Sequence, residues 1–164
     1  MEANMDANSQ RPTWPVFVIS LALLTLSAPA EAVAQQVFYA QITAAPPMNS
    51  PQFVDIPGLA ITLPPANAAT TQALITLNVP HSYASGSDFP GLRFSINVAG
   101  TNVADGGFSY ELQAPPSFGR TPITIVVRVP LSGFQQTVKA QWVSVRSSTG
   151  HIDSFASLSA VVFR

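Results

Sequence analysis

Residues 131–163 read LSGFQQTVKAQWVSVRSSTGHIDSFASLSAVVF, and their pattern decides the fold. Val138, Ala140 and Trp142 fall on one parity, with Lys139 and Gln141 on the other. A two-residue period marks a strand with one buried face. Ser147-Ser148-Thr149-Gly150 supplies a turn, and Ala156, Leu158, Ala160 and Val162 make a second apolar face on a terminal strand. Val143 and Val145 take the parity opposite to Trp142. Burying both sets calls for an extra residue in the strand, so a β-bulge or a parity switch is expected near Trp142.

The same pattern recurs upstream. Ala73, Ile75, Leu77 and Val79 share one parity, with Thr76 and Asn78 on the other. Leu92, Phe94, Ile96 and Val98 alternate with Arg93, Ser95 and Asn97. Ile123, Ile125, Val127 and Val129 alternate with Thr124, Val126 and Arg128. Shorter strands are expected at 35–42, 59–63 and 108–112. Pro57-Gly58, Pro64-Pro65, Ala99-Gly100, Asp105-Gly106-Gly107 and Pro115-Pro116 punctuate them as turns. Longer loops are expected at 82–91 and 114–120, and no amphipathic helix follows residue 35. The fold class is therefore all-β: an antiparallel jelly-roll or Greek-key β-sandwich of about 8–10 strands.

Composition narrows the function. Only 9% of the 164 residues are charged and the formal net charge is −1. An ordinary soluble domain carries roughly 25% charged residues. No basic footprint for a nucleic acid or an anionic membrane exists. Cysteine is absent, which excludes disulfides, thiolate metal sites and thiol nucleophiles. The fold must then rest on its own apolar core.

The N-terminus reads as a targeting segment. Val16 to Leu26 is densely apolar but shorter than the roughly 20 residues of a membrane span. Ala32-Val33-Ala34 gives a small-x-small cleavage pattern before Gln35. Glu2 and Asp6 depart from the basic start such signals usually have. The expectation is a signal peptide at 1–34 and one β-sandwich domain at 35–164, hence a secreted or cell-surface/periplasmic protein. No stable membrane insertion is expected once the signal is cleaved.

The C-terminal third resembles the end of a C1q/TNF-type jelly roll. In that superfamily a Leu-x-x-Gly turn precedes a V-x-x-x-h strand, and the chain ends in a strand resembling STFSGFLLY. Here Leu131-Ser132-Gly133 precedes Val138 and Trp142, and Ser154 to Phe163 (SFASLSAVVF) stands in the terminal strand. No collagen-like Gly-x-y stem is present, and the upstream aromatic positions do not match. The resemblance implies a ten-strand jelly roll that usually trimerises, binds other macromolecules and has no enzymatic activity.

Chemistry-bearing residues are few. The mature region holds His81, His151, Asp55, Asp88, Asp105, Glu111 and Asp153. His151-Ile152-Asp153 is the one tight pairing, but a metal needs three or four ligands and no third lies nearby. The plainer account is a solvated polar face. No G-x-S-x-G elbow occurs. Asp105-Gly106 has one acid where calcium sites collect several. No catalytic, cofactor-binding or metal-binding residue is assigned. Tyr83, Phe89, Phe118 and Arg120 form a candidate ligand-binding rim in the two long loops, with plugs under those loops as the alternative for Phe89 and Phe118. Leu74, Val126, Val161 and Phe163 interrupt the polar parities of their strands and form a candidate oligomer face. The expected function is binding or assembly as a homo-oligomer, a trimer favoured, with a glycan or protein ligand. The alternative is a small secreted hydrolase of glycans or esters, against which the scarcity of titratable groups speaks.

Overall fold

The computed structural model describes residues 35–111 and 119–164. The signal segment at 1–34, with its boundary, and Phe118 lie outside the described residues.

The described residues fold into strands without a helix: β1 (Gln36–Ile42), β2 (Ala45–Met48), β3 (Val54–Leu63), β4 (Gln72–Ser85), β5 (Gly91–Val98), β6 (Thr101–Ser109), β7 (Thr121–Pro130), β8 (Gln136–Val145), β9 (Thr149–Ile152) and β10 (Ala156–Phe163). All pairings are antiparallel. β9 and β10 run end to end along one side of β4, which takes β7 on its other side. β2 and β1 flank β9 and β10 in the same way. The facing sheet has the order β3-β8-β5-β6. The first strand thus lies beside the last, and successive long strands cross between sheets except at the β5–β6 hairpin, which is the jelly-roll order the sequence called for.

Alternation places the core between the sheets. Leu92, Phe94 and Ile96 of β5, Val138, Ala140 and Trp142 of β8, Ile75, Leu77 and Val79 of β4, and Leu158, Ala160 and Val162 of β10 are all buried. The Phe94 and Trp142 ring centroids lie 6.3 Å apart, within the range of favourable aromatic pairs.

Three expectations are corrected. β8 carries no bulge: its register with β5 is unbroken from Val98↔Val138 to Gly91↔Val145. Trp142 and Ser144 both face inward, and the Ser144 hydroxyl is satisfied there by donating to the Ser50 carbonyl at 3.0 Å. Val143 is buried on the opposite face, so no change of parity is needed. The irregularity lies in the neighbouring strand, where Ile56 to Leu59 oppose Ala140 alone. Second, Asp105-Gly106-Gly107 is strand interior, not a turn, because β6 runs straight through it. Third, the loop begins later than residue 82, since β4 extends to Ser85.

That extension depends on a bulge. Val79 pairs with Ile123 and Ser82 with Thr121, so Pro80 and His81 oppose a single residue of β7. Proline has no N–H for a ladder and belongs at such a break. The extra residue reverses parity: Ala73 to Val79 face the core at odd numbers, whereas Ser82 and Ala84 face it at even numbers. Tyr83 and Ser85 are thereby turned to the outer face of the sheet.

Candidate functional site

Below the bulge, Tyr83 of β4 and His151 of β9 are direct partners. Their rings stack with centroids 4.4 Å apart and planes 5° from parallel. Ser85 Oγ lies 3.0 Å from His151 Nε2. Arg120, just before β7, sets its guanidinium over the Tyr83 ring at 5.4 Å. The same guanidinium forks onto Asp153, donating from Nε to Oδ1 at 3.2 Å and from Nη2 to Oδ2. Asp153 occupies the short segment that joins β9 to β10, where the chain has one residue more than β4 opposite. Bulges of this kind re-aim side chains beside binding sites.

A cleft of about 440 Å³ opens there, lined by His81, Arg120, Asp153, Ser154 and Phe155. Ser154 Oγ is buried with no hydrogen-bond partner. Buried polar atoms are nearly always satisfied, and each exception calls for an explanation.

Charges in the site have clear causes. The Arg120 hydrogen bond holds the Asp153 carboxyl below the usual carboxylate range, and Asp153 in turn raises the Arg120 guanidinium. Burial pushes the His151 imidazole below its usual value, against a smaller upward pull from Asp153. His151 is therefore neutral near pH 7, able to exchange a hydrogen bond with Ser85. No group of His, Asp or Glu among the described residues is arranged to hold a metal.

Of the four rim residues named from the sequence, the structure brings Tyr83 and Arg120 together. Tyr83 reaches the site from a strand, not from a loop. Phe89 belongs to another cluster: its ring lies under the Arg146 guanidinium at 5.7 Å, and its carbonyl accepts from Arg146 Nη1 and Ser109 Oγ. Phe89 is exposed, which excludes a plug in the core. Phe118 lies outside the described residues. His151 and Asp153 are joined to the site by geometry that sequence spacing hinted at, and Ser154 is joined by geometry alone. Of the expected oligomer face, Val161 pairs with Leu74 and with Val37, Val126 is set apart behind Thr76 and Ser159, and Phe163 lies under Arg128 at 5.4 Å. Val37 and Tyr39 of β1, 69% and 56% exposed, extend a patch on which Leu74 and Val126 are 40% and 55% exposed.

A second groove of about 360 Å³, lined by Pro46, Pro47, Met48, Val54, Asp55, Pro57 and Trp142 among others, is chemically quieter. Its carboxylate is already occupied, Asp55 accepting from Lys139 Nζ at 2.6 Å and from Gln141 Nε2 at 2.7 Å.

Known proteins were compared with this fold. No curated protein matches the chain in sequence. Among solved structures, the chain is similar to an Eiger TNF from S. frugiperda, with 8% identity and a TM-score of 0.44 over 79% of this chain and 94% of that one. It is also similar to the CBM36-1 domain of a multidomain xylanase from the hindgut metagenome of Trinervitermes trinervoides, with 11% identity and a TM-score of 0.37 over 77% and 96%. Dimeric latent PorU from Porphyromonas gingivalis matches at 10% identity and a TM-score of 0.41, over 83% of this chain but 14% of that one. The model of the family described as Bc2l-C, N-terminal domain, matches residues 39–161, three quarters of the sequence. The chain belongs to the Bc2l-C N-terminal domain family.

Proposed function

We propose that this protein is a secreted, non-enzymatic recognition domain that binds glycans in the cleft between Arg120, Asp153 and Ser154. The Arg120–Asp153 fork beside the Tyr83–His151 stack carries the reading. These groups suit a polyol: a planar guanidinium and a carboxylate offer donors and acceptors in fixed directions, with the flat Tyr83–His151 stack beside them. A site of this kind needs only a few placed polar groups.

Assembly completes the proposal. The face bearing Val37, Tyr39, Leu74 and Val126 exposes apolar side chains interspersed with Ser159, Thr76 and Arg128, and a net charge of −1 does not oppose association. A homotrimer is the state the C1q/TNF resemblance implies. A glycan-array screen, followed by calorimetry on the best binder, tests the function. Arg120→Ala and Ser154→Ala should each weaken binding about ten-fold or more, roughly 1.4 kcal/mol. Absence of any glycan bound at millimolar concentration overturns it.

One observation favours a second reading, a serine hydrolase: the contact between Ser85 Oγ and His151 Nε2. Such a dyad needs a third group to orient the imidazole, and the Asp153 carboxylate is engaged by Arg120. A fluorophosphonate probe that labels Ser85 would establish the hydrolase; no labelling favours recognition.

A further inference from the structure

We propose that His151 makes the rim proton-sensitive: the neutral ring holds Tyr83, Arg120 and Asp153 in the binding arrangement, and protonation in mildly acidic solution loosens it and releases the ligand. The inference rests on the reading of the cleft as a glycan site.

The contacts form a chain whose two ends lie two residues apart in sequence. His151 stacks on Tyr83, Tyr83 lies under Arg120, Arg120 forks onto Asp153, and Asp153 follows His151 by two residues. One carboxylate therefore serves one permanent cation while a second, latent cation sits beside it. Protonating His151 creates a competitor for Asp153 and places a second positive charge on the Tyr83 ring that already carries Arg120. The new charge is also partly withdrawn from water, and burial disfavours the charged form of such a ring. Two rearrangements relieve this. The imidazole swings out into solvent and the stack is lost, or Asp153 turns towards it and Arg120 is released. Each removes a group from the ligand-facing rim.

Among the described residues, these groups face the ring. From β4, Tyr83 faces His151, with Ser85 as the hydrogen-bond partner of its Nε2. From the segment after β9 comes Asp153, and from the start of β7 comes Arg120, acting through both. β2, on the far side of β9, reads APPM and contributes no titratable side chain. His81 lines the same cleft and is the control that any titration must include. The Ser85 contact survives either protonation state, because a hydroxyl can turn from donor to acceptor. It does not hold the ring neutral.

The test follows His151, Tyr83 and Arg120 by NMR in the intact mature protein without ligand, from about pH 7.5 to about pH 5, the range in which an imidazole titrates. The Tyr83 ring and Arg120 Nε–H signals should move with the His151 titration, below the usual imidazole value. They should do so in His81→Gln and remain still in His151→Phe, which keeps a flat ring without a titrating group. His151→Gln serves if the phenylalanine variant fails to fold. Signals that ignore the His151 titration, or the same transition surviving in the His151 variants, overturn the switch. Calorimetry with a panel of methyl hexosides separates the two claims. Binding about ten-fold weaker at the acid end, and pH-independent in His151→Phe, supports both. Binding with a flat pH profile in the wild type sinks the switch and leaves the glycan site. Linked NMR shifts with no hexoside bound at any pH leave the switch and sink the glycan reading.

Discussion

Gly107 lies where β5 and β6 approach most tightly: a Cβ there would stand 2.2 Å from the Leu92 carbonyl oxygen and 2.7 Å from Arg93 Cα. Gly107→Ala must push the two strands apart and should destabilise the fold by about 1–3 kcal/mol. Gly133→Ala, with nothing within 4 Å, should be neutral to within about 0.5 kcal/mol in the same urea melts. Equal effects would mean that the glycines matter for flexibility and not for space. Ser147 offers the opposite case. It and Arg146 form the β8–β9 turn with φ of 55° and 51°, a conformation that favours glycine and asparagine. Ser147→Gly should raise stability by about 1 kcal/mol, and a lower melting temperature would contradict the strain. These residues also mark what a sequence conceals. Asp105-Gly106-Gly107 reads as a turn because glycine bends chains. The same absence of a side chain permits close approach, and only the partner strand decides between the two.

At the scale of the strand, β8 carries the centre of the core. Trp142 is 1% exposed, and Trp142→Ala should cost about 3–5 kcal/mol. The apolar alternation that announces β5, β7 and β8 in the sequence is the alternation observed. The expected bulge failed because Val143 is buried on the face opposite Trp142 in an unbroken register, while Ser144, turned inward, finds Ser50 across the strands. On the outer face of the other sheet, Leu74, Val126, Val161 and Phe163 were legible as breaks in polar parities. Val37 and Tyr39 were not, because QVFYAQI is apolar on both parities and its orientation is fixed by pairing with β10 more than a hundred residues away. Val126→Asp should reduce the mass seen by light scattering to that of one mature chain while leaving the β-sheet circular dichroism intact. A mass near one chain in the wild type refutes the interface, and loss of the folded signal in the variant would place Val126 in the core.

For the whole molecule, the shifted groups that titrate between neutral and acid pH agree in sign. His151, Asp55 and Asp153 all have folded values below their ordinary ones, so the unfolded chain binds more protons and stability falls as pH falls. The His151 share is present above the usual imidazole value and is lost as pH drops through the lowered one. The shares of Asp55, set mainly by Gln141 and then Lys139, and of Asp153 follow below the carboxylate range. Melting temperatures taken from neutral to acid pH should therefore decline in two stages, and a flat profile would exclude the linkage. The jelly roll itself was legible from strand number and turn spacing. The site was half legible: Tyr83 and Arg120 could be named, but their meeting depends on Pro80 and His81, one residue too many for the strand opposite. The two halves of β4 are, in effect, written in different reading frames, with these residues as the shift between them. Regular pairing of every residue, with no break, would merge the frames, sending Tyr83 and Ser85 inward and Ser82 and Ala84 to solvent. The proposed binding surface thus depends on a break in register as much as on the side chains that form it.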